Sequence, residues 1–168
     1  MLTYHPAFDS YHCAYRILLL TTKISSDVIE VERLRIWDFY FVFPHQARNI
    51  SFPIDLGLFR KTFNFKPNPY EDILDAQRIF ERMKPFQVAA LKYLAAYGLI
   101  DSEQLSDNLI KRTTKPIPRV LLEHMNRLDS QQEAIISLMQ SPLNDLSLYG
   151  EKGLKYRTKI LDYKYDAD

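Results

Sequence analysis

The chain has 168 residues, 46% apolar and 13% aromatic, enough for one packed domain and too apolar for a disordered segment. Its 22 basic and 21 acidic side chains leave a net charge of +1, which argues against an autonomous protein gripping a phosphate backbone at many points. The single cysteine, Cys13, allows no internal disulfide and fits a reducing cytoplasm, and no apolar run approaches a membrane span. Tyr4, His5 and Asp9 stand where a signal peptide would be apolar.

In chain order, Asp9 or Ser10 can cap a helix over residues 11–23, whose Ile17-Leu18-Leu19-Leu20 run is too apolar for an exposed face. Ser25, Ser26 and Asp27 break the chain. A second helix is expected over 29–42, with Leu34, Trp37 and Phe41 on one face and Pro44 as its stop. The β-branched and aromatic residues of 37–43 are also compatible with a strand. A short helix over 56–63 and an Asn68-Pro69 turn follow. Residues 72–83 have helical spacing, and Pro85 is read as the junction to the next helix.

That next helix, from Phe86 to Tyr97, is apolar around most of its circumference and reads as a buried central helix. Gly98 supplies a left-handed stop with Leu99 over the helix end, and Asp101 or Ser102 caps a new helix over 103–110. Beyond a basic, proline-containing loop over 111–118, a helix is expected over 120–128. Ser130 with Glu133 offers a capping box for another that ends before Pro142. The fold class is therefore mainly α. A single helical domain over 1–150 holds a helix-turn-helix or winged-helix-like core around 72–128, and 151–168 form a C-terminal arm or tail.

With four unclustered glycines, no phosphate-cradling loop of the Walker or dinucleotide type is available. No cofactor is expected. His5, Asp9 and His12 have spacings that suit a metal, but Pro6 interrupts the register and Asp9 has an alternative use as a cap. Cys13 reads as a small apolar filler. Arg16, Arg35 and Asp38 lie in very apolar segments, where a paired Arg–Asp arrangement is expected. Lys111, Arg112, Lys115 and Arg119 follow the helix-turn-helix step, where phosphates would be contacted.

Three stretches carry a family resemblance: Phe8-Asp9-Ser10-Tyr11-His12-Cys13-Ala14-Tyr15-Arg16; Leu34-Arg35-Ile36-Trp37-Asp38-Phe39-Tyr40-Phe41-Val42-Phe43-Pro44; and Phe80-Glu81-Arg82-Met83-Lys84-Pro85-Phe86-Gln87 with the Gly98-Leu99-Ile100 step. Together they resemble the middle components of the bacterial ABC-three-component systems, anti-phage and anti-plasmid gene sets that include the Lamassu type. The resemblance covers roughly residues 3–105. It implies a non-catalytic adaptor between an SMC-like ABC ATPase that senses foreign DNA and an effector, often a nuclease. DNA would be met through the complex, with no membrane. The matched positions Phe8, Asp9, His12, Arg16, Arg35, Trp37, Asp38, Phe39, Pro44 and Phe86 are expected to serve structure or protein contact. A stand-alone winged-helix regulator using the basic loop is the competing expectation, and a metal-dependent hydrolase using His5, Asp9 and His12 is a third.

Overall fold

The computed structural model describes residues 4–63 and 75–161. The expected Asn68-Pro69 turn and the residue 72 start of the next helix lie outside them. The architecture is mainly helical, built on three packed helices: α1 (Ser10–Lys23), α2 (Val31–Val42) and a long helix, Ala76–Ala96. α1 starts where the Asp9 carboxylate accepts the His12 N–H at 2.8 Å, and Ile17 to Leu20 are all buried.

α2 is the central helix. Nine consecutive residues, from Arg33 to Phe41, are buried, so its whole middle is enclosed. Phe43 and Pro44 end it, and the chain tightens into a 3-10 turn over Pro44–Asn49. Residues 37–43, compatible with helix or strand by composition, are thus helical as far as Val42. The start expected at residue 29 is different: Val28–Glu30 is a short strand, β1. It pairs antiparallel with β2 (Leu109–Lys111), Ile29 opposite Ile110, and both isoleucines are buried. The two β-branched side chains bury more as a cross-strand pair than Ile29 would on an isolated first helical turn.

After α3 (Phe59–Thr62) comes the long helix α4 (Ala76–Ala96), which corrects two expectations. It runs unbroken through Pro85 instead of forming two helices. Pro85 is exposed, so water can take the carbonyl that the missing N–H leaves without a donor. Nor is α4 buried all round: Phe80, Met83, Gln87, Ala90, Leu91 and Leu94 face the core, while Lys92, Tyr93 and Ala96 are exposed. Its small and aromatic residues looked apolar on every side, yet the tyrosines point outward.

The end of α4 follows the sequence closely. Gly98 has φ +71°, Leu99 N–H donates to the Leu94 carbonyl and Gly98 N–H to that of Ala95, both at 2.9 Å, a Schellman cap. Asp101 then caps α5, but α5 (Ser102–Ser106) spans only five residues. The helix expected over 103–110 gives way at Asn108, with φ +59°, to β2, because Ile110 is needed opposite Ile29.

α6 (Arg119–Met125) and α7 (Ser130–Gln140) follow. The α7 capping box is one residue earlier than expected: Asp129 caps, with Gln132 as its reciprocal partner, and Ile135, Ile136, Leu138 and Met139 turn inward. A carboxylate is favoured at the positive end of the helix dipole. After Gly150, where the sequence suggests a C-terminal arm or tail, α8 (Leu154–Thr158) buries Leu154 in the core, joined by Ile160. Residues 162–168 lie outside the described structure. Among the described residues, no helix is long and apolar enough to cross a membrane.

Gly98→Ala tests the α4 stop. An added Cβ would meet only the Lys115 side chain, at 3.8 Å, so the cost is backbone strain at positive φ and not a clash. The expected loss is about 1 kcal/mol in urea unfolding; an unchanged midpoint would contradict it.

Candidate functional site

The sequence placed Arg16 on the first helix and Asp38 on the second, and packing brings them together. Arg16 Nε donates to Asp38 Oδ1 at 2.5 Å and Nη2 to Oδ2 at 3.2 Å, while Nη1 reaches the Pro6 carbonyl at 2.8 Å. This is a bidentate guanidinium–carboxylate pair, with Arg16 only 6% and Asp38 0% exposed. Gln87 on α4 completes it. Its amide nitrogen donates to Asp38 Oδ2 at 2.9 Å and to the Arg35 carbonyl at 3.3 Å, and its oxygen accepts from Arg35 Nε at 2.9 Å. Three helices are thereby joined by one buried polar clasp.

Arg35 is the least satisfied member. Its Nη2 has no hydrogen bond and lies 4.0 Å from Glu81, and the guanidinium sits 4.5 Å from the centre of the Phe80 ring. Burial lowers its pKa, though an arginine remains charged at any working pH. For Arg16, burial opposes the charge but the Asp38 carboxylate outweighs it, and the pKa rises. Cys13 Sγ lies 3.6 Å from Asp38 Oδ2, and burial, with that carboxylate beside it, pushes the thiol's pKa upward. A thiol so placed is a poor nucleophile. The space enclosed by Ile17, Leu34, Arg35, Asp38, Gln87 and Leu91 is too small for a water molecule. The clasp is packed shut and offers no room to a substrate.

Of the other matched positions, Trp37 and Phe39 are fully buried, and Pro44 opens the 3-10 turn. Phe8 and Phe86 meet with ring centres 6.0 Å apart, and Arg82 covers Phe8 at 4.7 Å. The three residues with metal-like spacing are otherwise engaged. His5 Nδ1 accepts the Ala7 N–H, its ring stacks on Phe43, and Asp9 caps α1 while contacting His12 Nδ1 at 3.2 Å. Among the described residues, no group of three or more His, Cys, Asp or Glu side chains is placed to hold a metal.

Outside this interior, the α1 and α4 surfaces carry exposed tyrosines. Tyr11 stacks on Tyr93 with ring centres 5.8 Å apart and planes 7° from parallel. Tyr97, one turn beyond Tyr93, is 68% exposed and Tyr11 76%. Tyr4 adds its hydroxyl to His12 Nδ1 at 2.6 Å. The sequence reading does not single out this pair, or Gln87. The available signal for Gln87 is an amide among the apolar residues Phe86, Val88, Ala89, Ala90 and Leu91.

The basic loop is largely engaged within the chain. Lys111 pairs with Asp27 at 3.4 Å, Arg119 with Glu123 at 2.8 Å, and Lys115 donates to the Tyr97 carbonyl. Arg112 is half-buried, with Nε and Nη1 unpartnered, and desolvation lowers its pKa.

A mainly helical domain closed around a buried ion pair, with an aromatic flank on two of the clasped helices, defines the structural class. The family follows from comparison: the model of the ABC-three component (ABC-3C) system Middle Component 5 family matches residues 2–166, and the chain belongs to that family. No curated protein and no solved structure matches it.

Asp38→Ala strands the Arg16 charge in the core and is expected to cost about 3–5 kcal/mol, whereas Arg16→Met with Asp38→Leu recovers most of it. Chemical denaturation of both variants checks this; equal damage from the single and double changes would contradict it. Cys13 should resist iodoacetamide in the folded chain and react once urea unfolds it, read by intact mass. Rapid labelling of the native protein would show the thiol to be accessible.

Proposed function

We propose that this chain is a non-catalytic adaptor that joins an SMC-like ABC ATPase, which senses foreign DNA, to an effector in an anti-phage or anti-plasmid defence complex. Membership of a middle-component family supports a place among several components. The Lamassu-type assignment and a nuclease as effector rest on the resemblance of the three sequence stretches, and a cytoplasmic setting fits the single, reduced cysteine. The observation that carries the reading is the stacked Tyr11–Tyr93 pair with Tyr97 beside it, exposed on helices held rigid from within. Tyrosines offer large contact area at little entropic cost and are enriched where partners bind.

The second reading is a stand-alone winged-helix regulator. α4, the Gly98 turn, α5, β2 and the loop after it run in the order helix, turn, helix, strand, which favours it. The net charge of +1, and partners within the chain for Lys111, Lys115 and Arg119 in Asp27, the Tyr97 carbonyl and Glu123, favour the adaptor.

Co-expression with the ATPase and effector components tests the proposal. The wild-type chain should co-purify with them, and Tyr11→Ser with Tyr93→Ser should weaken capture about tenfold or more at unchanged folding. Undiminished capture would move the interface elsewhere. A chain recovered alone, with salt-sensitive DNA binding abolished by charge reversal at Lys111 and Arg112, would establish the regulator instead.

A further inference from the structure

Several cations among the described residues have no ion-pair partner, and three of them share one cleft. The 3-10 turn Pro44–Asn49 packs against α3, and this brings Arg48 and Asn49 to the same cleft as Gly57, Arg60 and Lys61. The cleft is broad and open to solvent, with a volume of about 740 Å³. Arg60 and Lys61 are exposed and Arg48 half-buried. Among the described residues none of the three has an ion-pair partner, in contrast with Arg16, Arg33, Lys111, Arg119 and Lys155. Residues 44–63 contain a single carboxylate, Asp55, against these three cations. In a chain of net charge +1, that is a local imbalance suited to an anionic partner.

The surroundings decide what kind of anion. Ile54 and Leu58, in the short turn that also bears Gly57, are fully and 75% exposed. Exposed aliphatic side chains gain from burial against another protein, whereas a sugar–phosphate backbone offers them nothing. The aromatic rings nearest in sequence, Phe52, Phe59 and Phe63, are partly or wholly buried, and Phe52 is stacked on Phe63, which makes them a poor platform for a base.

We propose that the cleft between residues 44–49 and α3 docks an acidic protein segment of another component of the system, with an aliphatic side chain of that segment against Ile54 and Leu58. This rests on the adaptor reading and extends it. The tyrosine flank of α1 and α4 and the cationic cleft lie on different elements, so one small chain presents two surfaces of unlike chemistry, as a link between two partners requires. Guanidinium groups suit the paired oxygens of carboxylates, and a rim of cations speeds encounter with an acidic partner.

The test is pairwise capture of the ATPase and effector components by the full chain carrying Arg60→Glu and Lys61→Glu. Binding of one component should fall about tenfold or more while the other is held as by wild type, which also reports correct folding. Retention of both at wild-type strength overturns the site and leaves the adaptor reading standing. Failure of the wild-type chain to capture either component removes both. If the reversal loses both components, the neutral pair Arg60→Gln and Lys61→Gln decides: selective loss of one component supports the site, and no loss overturns it. A short labelled DNA duplex, titrated in parallel, separates the remaining source of anionic charge. Reversal that abolishes duplex binding but leaves capture intact overturns the proposal in favour of nucleic acid.

Discussion

The bidentate pair between Arg16 and Asp38 is the constraint on which the rest of the structure depends. Two charges this deeply buried lose their hydration, and each is tolerable only while the other is present and correctly oriented. Their geometry therefore fixes the crossing of α1 over α2. Gln87 transmits the same requirement to α4, since its amide is the second donor to Asp38 and the acceptor for Arg35. A hydrophobic core of the same volume would hold these helices together but would tolerate sliding. The polar clasp pairs its charged groups in the observed register, and fixing register is a use for which buried polar groups in helical assemblies have precedent.

What the clasp positions is the outside. Tyr11 and Tyr93 belong to two different helices, and their stacking depends on the alignment the interior imposes. Phe8 and Phe86 extend the same α1–α4 seam, covered by Arg82. The interior itself leaves no space for a small molecule beside the clasp, and Cys13 is held as a thiol by burial and by the neighbouring carboxylate. These features suit a chain that works through its surfaces, and membership of a three-component family supplies a setting with other components.

Much of this was legible residue by residue. The Gly98-Leu99 stop, the Asp9 cap and the pairing of an arginine with an aspartate inside apolar helices follow from local chemistry, and all are present. What was not legible depends on tertiary partners. Hydrophobicity alone could not tell that Tyr93 on α4 and Tyr97 at its C-terminal cap turn outward, because an aromatic hydroxyl side chain is at home on either face. Ile29 reads as helical until Ile110 stands opposite it, and the same pairing cuts α5 short. The shift from Ser130 to Asp129 reflects two adjacent residues each able to cap. Gln87 was passed over because a lone amide carries no motif, although its burial partners make it the third member of the clasp.

The most direct measurement is hydroxyl-radical footprinting of tyrosine side chains in the free chain and in the chain assembled with the other components of its system. The expected result is a several-fold fall in the oxidation of Tyr11, Tyr93 and Tyr97 on assembly, with Tyr149 and Tyr156, exposed on the C-terminal segment, little changed. Unaltered oxidation of Tyr11 and Tyr93 in a fully assembled complex would contradict the claim that the clasped helices present the partner-binding face.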